Sequence, residues 1–138
     1  MASNFDMKAA NAALIDEFRA SDGKVGGRPV LLLTTTGAKS GRQFTLPLVY
    51  LPDGERLLIF ASKGGWPTNP DWYHNLVANP TVTVEVGGDK YEATATVLAG
   101  EERDRLYQRQ VEAMPMFGDY QQKTTRVIPV IALERKPA

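Results

Sequence analysis

Apolar positions near the N-terminus recur at three- and four-residue intervals. Met7, Ala10, Leu14 and Phe18 form one stripe, with Ile15 on a neighbouring face, and this spacing predicts a helix over residues 5–20. Ser21-Asp22-Gly23 ends it and Gly26-Gly27 adds a joint. From Pro29 the pattern changes to that of strands. Val30 to Thr36 is apolar and then threonine-rich, as suits a strand buried on both faces at its start. Phe44 to Leu51 and Arg56 to Ala61 flank Pro52-Asp53-Gly54, and Thr81 to Val86 and Lys90 to Leu98 flank Gly87-Gly88-Asp89, which predicts two hairpins. A last strand is expected from Val127 to Leu133. Between these, Asn69-Pro70 opens a helix with asparagine as cap, and Asn79-Pro80 closes it. Glu101 to Met114 is an amphipathic helix with Leu106, Tyr107, Gln110 and Val111 inward, and a short helical turn covers Phe117 to Lys123. The fold class is α+β, mainly β: about six antiparallel strands in a small barrel with covering helices.

Composition narrows the chemistry. A chain of 138 residues fits one domain over 1–138. With no cysteine, disulfides and thiolate chemistry are excluded. With one histidine, His74, and no tight acidic cluster, no metal is expected. No signal-length or membrane-length apolar run is present, so a cytoplasmic protein is expected. The first helix could rest on a partner or a membrane surface, but its polar face carries both charge signs, which favours packing on the domain.

A formal net charge of zero argues against nucleic acid, but the charge is uneven. Lys24 to Lys63 holds six basic residues against two acidic ones, and the rest of the chain holds ten against fourteen. That local excess suits an anionic small molecule.

Two loops carry the candidate site. In Thr34-Thr35-Thr36-Gly37-Ala38-Lys39-Ser40-Gly41-Arg42, glycines free the backbone to present N–H groups to an anion, Ser40 adds a hydroxyl, and Lys39 and Arg42 add charge. It is not a Walker loop, and a basic surface turn would use the same residues. Ser62-Lys63-Gly64-Gly65-Trp66 is a second glycine–lysine loop leaving a strand, and its glycines would let a flat ring approach, with Trp66 or Trp72 stacking. Trp72 and Leu76 share a helix face, as core residues do. A lone helical histidine such as His74 is more often structural than catalytic. Asn75 is placed either to bond a ring carbonyl or to cap a neighbouring loop. Met114 to Tyr120 has the flexible, aromatic composition of a pocket mouth, or of a lid on the core. No nucleophile–base pair or carboxylate dyad stands out, so the chemistry belongs to a cofactor.

These residues resemble the deazaflavin (F420)-dependent nitroreductase family of split β-barrel flavin and deazaflavin oxidoreductases. The resemblance lies in Thr34-Thr35-Thr36-Gly37, Lys39-Ser40-Gly41, Pro47-Leu48, Ala61 to Gly65, Asn69-Pro70, Trp72-Tyr73, Asn75-Leu76, Ala78-Asn79-Pro80, Tyr120-Gln121 and the tail from Thr125 to Val130. It implies a split β-barrel holding coenzyme F420 and passing hydride from the reduced deazaflavin to a small organic acceptor: a quinone, an enone or a nitro compound. Carried over, Lys39, Ser40, Gly41, Arg42 and Lys63 would bind the phosphate and acidic tail. Pro47, Ser62, Gly64, Gly65, Trp72 and Asn75 complete the coenzyme set. Tyr50, Phe117 and Tyr120 would face the acceptor, and Ser62 and Tyr120 are the candidate proton donors.

Members often carry arginine where Ala38 and Phe44 stand, and tyrosine where Phe117 stands; these departures weaken the tail contacts and argue against nitroimidazoles. Other readings are a flavin mononucleotide enzyme on the same fold, a non-catalytic carrier of coenzyme or lipid, and a bare structural module. The protein is expected as a monomer or a homodimer.

Overall fold

A computed structural model describes residues 7–21, 24–25 and 28–137. Among these residues eight strands are found: β1 (Lys24–Val25), β2 (Arg28–Thr36), β3 (Gln43–Val49), β4 (Leu51–Asp53), β5 (Arg56–Phe60), β6 (Thr81–Val86), β7 (Asp89–Leu98) and β8 (Val130–Arg135). Four helices accompany them: α1 (Met7–Ala20), α2 (Asp71–Ala78), α3 (Gly100–Ala113) and α4 (Met116–Gln122). All strand pairs are antiparallel.

The path β2-β6-β7-β8-β5-β4 carries β3 on the other side of β2. β3 and β4 are therefore the outer strands of a seven-stranded array, yet Tyr50 alone separates them in sequence. Laid flat, those edges would stand about 29 Å apart, at roughly 4.8 Å per strand step. One residue spans at most about 7 Å between its neighbours' Cα atoms. The sheet must curl until its edges meet, and this closes the split β-barrel.

Alternation along the strands sorts three apolar clusters. Leu31 and Leu33 of β2, Ile59 of β5, Val82 and Val84 of β6, Ala93 and Ala95 of β7, and Ile131 and Leu133 of β8 fill the interior with Trp72 and Leu76 of α2. The alternate residues Val30 and Leu32 pack against Phe18 and Ile15 of α1. Leu58, Phe60, Val130 and Ala132 pack under Leu106 and Tyr107 of α3 and Phe117 of α4. The core strands are apolar on both faces because helices cover the outer one. Burying each Leu or Ile contributes about 1.5–3 kcal/mol. α1 thus packs on the barrel, and no helix among the described residues is long and apolar enough to cross a membrane.

Several expectations shift. The count of about six strands rises to eight, because Phe44–Leu51 breaks at Tyr50 and a two-residue β1 is added. β3 pairs back onto β2, from Val30↔Val49 to Thr36↔Gln43, so the expected hairpin with Arg56–Ala61 shrinks to Leu51–Asp53 on Arg56–Leu58. Its turn is Gly54-Glu55, with Gly54 at φ +62°. The second hairpin turns on Gly87 and Gly88, both left-handed, and Asp89 belongs to β7. The last strand starts at Val130, since Pro129 has no N–H for the ladder and its carbonyl accepts from Ala61 N at 3.0 Å. Asn69 does not cap α2: Pro70 holds that position, and Asn69 Oδ1 accepts from Arg126 Nη1 at 2.7 Å. Phe5, Asp22-Gly23 and Gly26-Gly27 lie outside the described residues.

Candidate functional site at the barrel rim

Four antiparallel steps separate β2 from β5 through β6, β7 and β8, so the two strands run the same way. The loops that leave them, Gly37 to Arg42 and Ser62 to Trp66, therefore emerge at one rim. α2 crosses the same rim on its way from β5 to β6. The topology places both glycine–lysine loops at the same rim, a placement that their sequence separation does not reveal.

The first loop is tightly built. Gly37 N donates to Arg42 O at 2.7 Å and Gly41 N to Gly37 O at 3.1 Å, with Gly41 at φ +71°. Arg42 N donates to Ser40 Oγ at 3.2 Å. Gly37 is buried, and a Cβ there would stand 2.6 Å from Ser40 Oγ and 2.9 Å from the Phe44 ring. From α2, Asn75 clamps the loop to its strand: Nδ2 donates to Thr35 Oγ1 at 3.2 Å, and Oδ1 accepts from Ala38 N at 3.1 Å. Lys39, Ser40, Gly41 and Arg42 are exposed, and the amides of Lys39 and Ser40 make no hydrogen bond among the described residues. The loop thus presents free N–H groups and two cations to solvent, the donor set an oxyanion requires.

The second loop is more strained. Lys63, Gly64 and Gly65 are consecutive left-handed residues at φ +46°, +62° and +84°, and Lys63 is the non-glycine residue with positive φ among those described. Gly65 lies against α4, where a Cβ would fall 2.6 Å from Tyr120 O and 2.9 Å from Lys123 Cβ. Lys63 Nζ donates to Thr68 Oγ1 at 3.1 Å and stands 5.7 Å from the Trp66 ring centroid. Lys39, Arg42 and Lys63 make no ion pair among the described residues, a property they share with Lys90, Arg105, Lys123, Arg126 and Lys136. Positive charge left unneutralised at one rim raises the local potential for an anion.

Other expected site residues lie deeper or elsewhere. Trp72 is 7% exposed in the barrel interior, so it backs the rim from below, and the exposed indole is that of Trp66, 64% accessible. Phe117 is buried, its ring 5.8 Å from Phe60 and 5.1 Å from Tyr120. Half-buried Tyr120 donates its hydroxyl to Met116 Sδ at 3.3 Å, and its backbone carbonyl meets Gly65. Ser62 is half-buried at the loop start. Pro47 pairs with Leu32, on the strand face that α1 covers. Tyr50 stands next to Val49, which pairs with Val30 at the start of β2, roughly 20 Å along the strand from the rim at about 3.3 Å per residue. There it packs on the interior cluster near Tyr91, whose hydroxyl is pushed above its ordinary pKa chiefly by burial. His74 is exposed, its ring edge-on to Tyr73.

Sequence reasoning missed two arginines. Arg103, 9% exposed, donates twice to Ile128 O and once to Gln121 Oε1 at 2.7 Å, and stacks 4.4 Å over Tyr107. Burial drives the Tyr107 hydroxyl up to about 12, and that hydroxyl donates to Phe117 O. Arg126 reaches into the second loop and bonds Ala61, Ser62, Trp66 and Asn69. Helical periodicity could have placed Arg103 on the inner face of α3, one turn before Leu106 and Tyr107. Arg126 lies in the tail that carries the family resemblance, but no local pattern gives it a role.

Substituting Asn75 by alanine tests the clamp. Two hydrogen bonds are lost, a cost of roughly 1–2 kcal/mol. The expected result is faster amide exchange at Ala38 with the barrel strands unchanged. Equal exchange in the two proteins would mean that the loop holds itself.

Comparison with known proteins agrees with this fold. Residues 11–135 match the model of a family described as F420H(2)-dependent quinone reductase. An F420H(2)-dependent quinone reductase of Mycobacterium tuberculosis is 42% identical over 127 residues, covering 86% of this chain and 85% of that protein. A solved F420-H2 dependent reductase (FDR-A) is 46% identical with a TM-score of 0.71, covering 78% of this chain and 95% of that one. A second solved structure, described as a domain-swapped dimer, is 40% identical with a TM-score of 0.72 over 91% of this chain and 99% of its own. With the match spanning nearly the whole chain and the two loops on one rim, the protein belongs to the F420H(2)-dependent quinone reductase family.

Proposed function

We propose that this chain binds coenzyme F420 at the rim and reduces a quinone-type acceptor. The observation that carries the reading is that two glycine–lysine loops leave the same rim, with cations that have no carboxylate partner among the described residues. The donor set fits a phosphate with an acidic chain: free amides at Lys39 and Ser40, and the side chains of Lys39, Arg42 and Lys63. Gly64 is exposed and keeps the outer side of the second loop free of a Cβ where a flat ring would lie, while Gly65 lets the loop seat against α4. When bound and reduced, the deazaflavin supplies a hydride.

The residues of the chain bind, orient and protonate. Arg42 and the two lysines hold the anionic end, Asn75 fixes the loop that carries two of these cations, and Trp72 and Leu76 support the rim from inside the barrel. The Tyr120 hydroxyl, the Ser62 hydroxyl or water supplies the proton that completes reduction of the acceptor. Phe117 lies behind Tyr120 and acts through packing, whereas Tyr50 stands at the far end of the barrel, on the interior cluster.

Titration with oxidised F420 beside flavin mononucleotide, by fluorescence or calorimetry, tests the reading. A clear preference for F420, followed by turnover of quinones with its reduced form, is the expected result. Preference for flavin mononucleotide would move the protein to a flavin role, and no binding of either would leave the loops as surface turns.

A further inference from the structure

The Arg126 guanidinium lies inside the second loop. Its Nε donates to Trp66 O at 2.8 Å, Nη1 to Ala61 O at 3.0 Å and to Asn69 Oδ1 at 2.7 Å, and Nη2 to Ser62 O at 2.7 Å. Three of the four acceptors are backbone carbonyls, at the two residues before Lys63-Gly64-Gly65 and the one after it. One planar fork thus fixes both ends of the run with positive φ. Such a run is strained at its non-glycine position and persists where the surroundings over-determine it. Here they do so from two sides, Arg126 on one and α4 against Gly65 on the other.

Arg126 is itself held in place. Gln121 of α4 donates Nε2 to Arg126 O at 2.7 Å, and its Oε1 accepts from Ile128 N at 3.0 Å and from Arg103 at 2.7 Å. A continuous set of hydrogen bonds therefore runs from α3 through α4 and the tail into the loop. No carboxylate pairs with Arg126 among the described residues, and its burial disfavours the charged form.

We propose that Arg126 is a positioning residue: it fixes the left-handed turn Lys63-Gly64-Gly65 and so sets where Lys63 and the glycine backbone meet the coenzyme. The proposal rests on the F420 reading above and assigns a residue outside both loops to that site. Lysine at 126 keeps the charge but offers one ammonium where four acceptors are spread around a plane, so it fails to restore the geometry.

The experiment compares wild type, Arg126→Lys and Arg126→Ala by F420 titration, steady-state kinetics with a soluble quinone, and amide exchange of the protein without coenzyme. Both variants are expected to weaken F420 binding at least tenfold, to raise the KM for reduced F420, and to leave the KM for the quinone unchanged. Amide exchange at Gly65 and Trp66 should quicken, and millimolar guanidinium should restore part of the affinity of Arg126→Ala but not that of Lys63→Ala. If Arg126→Ala does not fold, Arg126→Lys and Asn69→Ala carry the same comparison. Wild-type affinity for F420 in folded Arg126→Lys, or equal rises in both KM values, overturns the proposal. Wild-type protein that does not bind F420 overturns the F420 reading instead, and unchanged loop exchange in the variants then still refutes Arg126 as the residue that holds the turn.

Discussion

Gly65→Ala is expected to abolish coenzyme binding and to lower the melting temperature by roughly 10 °C. Two costs combine. A non-glycine residue at φ +84° costs about 1–2 kcal/mol. The added Cβ would lie 2.6 Å from the Tyr120 carbonyl and 3.1 Å from Tyr120 Cα, so backbone and not a flexible side-chain end must move, at about 1–3 kcal/mol. A total near 3 kcal/mol corresponds to a shift of that size in a domain of this length. Pushing α4 away also moves Tyr120, which carries a candidate hydroxyl. Gly64→Ala is the control: its φ is +62°, but its nearest neighbour is Trp66 Cδ1 at 4.0 Å, so the backbone cost alone applies. Thermal melts of both variants decide the matter, and equal melting temperatures would refute the packing argument.

The second large effect is expected from Lys39→Ala combined with Lys63→Ala. Both lysines are exposed, so each contact with an anion is discounted for solvent, to about 1 kcal/mol. Together they stabilise the complex by roughly 2 kcal/mol, about thirtyfold in Kd. The loss should be larger for F420 than for flavin mononucleotide, because only F420 extends an acidic chain beyond its phosphate. It should also shrink as salt rises, since exposed charges are screened within about 10 Å at 0.1 M. Equal losses for the two ligands would remove these lysines from the acidic chain.

How far the sequence could be read depended on how local each determinant is. β2 was legible because helices cover its outer face and the interior takes the other, which leaves an unbroken apolar run from Val30 to Leu33. The turns at Gly54 and at Gly87-Gly88 were legible because φ > 0 demands particular residues. The break at Tyr50 was not, because the apolar pattern passes through it unchanged and only closure of the sheet forces the chain to change partners. Lys39 and Lys63 were visible as residue types, but their placement at one rim follows from the order of five strands. Arg126 was invisible as a determinant, since its acceptors lie 57 to 65 positions away in the chain. Trp72 shows the converse: its helical spacing with Leu76 indicated core, and the structure places it there.

The meeting of β3 and β4 at Tyr50 also bears on how the molecule behaves among its own copies. An outer strand is where a second chain can add itself to a sheet and begin an aggregate. In this barrel the outer strands form one stretch, Gln43 to Asp53, and each half carries a proline: Pro47 midway along β3 and Pro52 midway along β4. Proline fits a sheet where its donorless nitrogen faces away from the ladder, the open side of such a strand. A strand approaching either border there meets a pyrrolidine ring in place of an N–H group, so the two borders left by an incompletely sealed barrel are poor templates for growth.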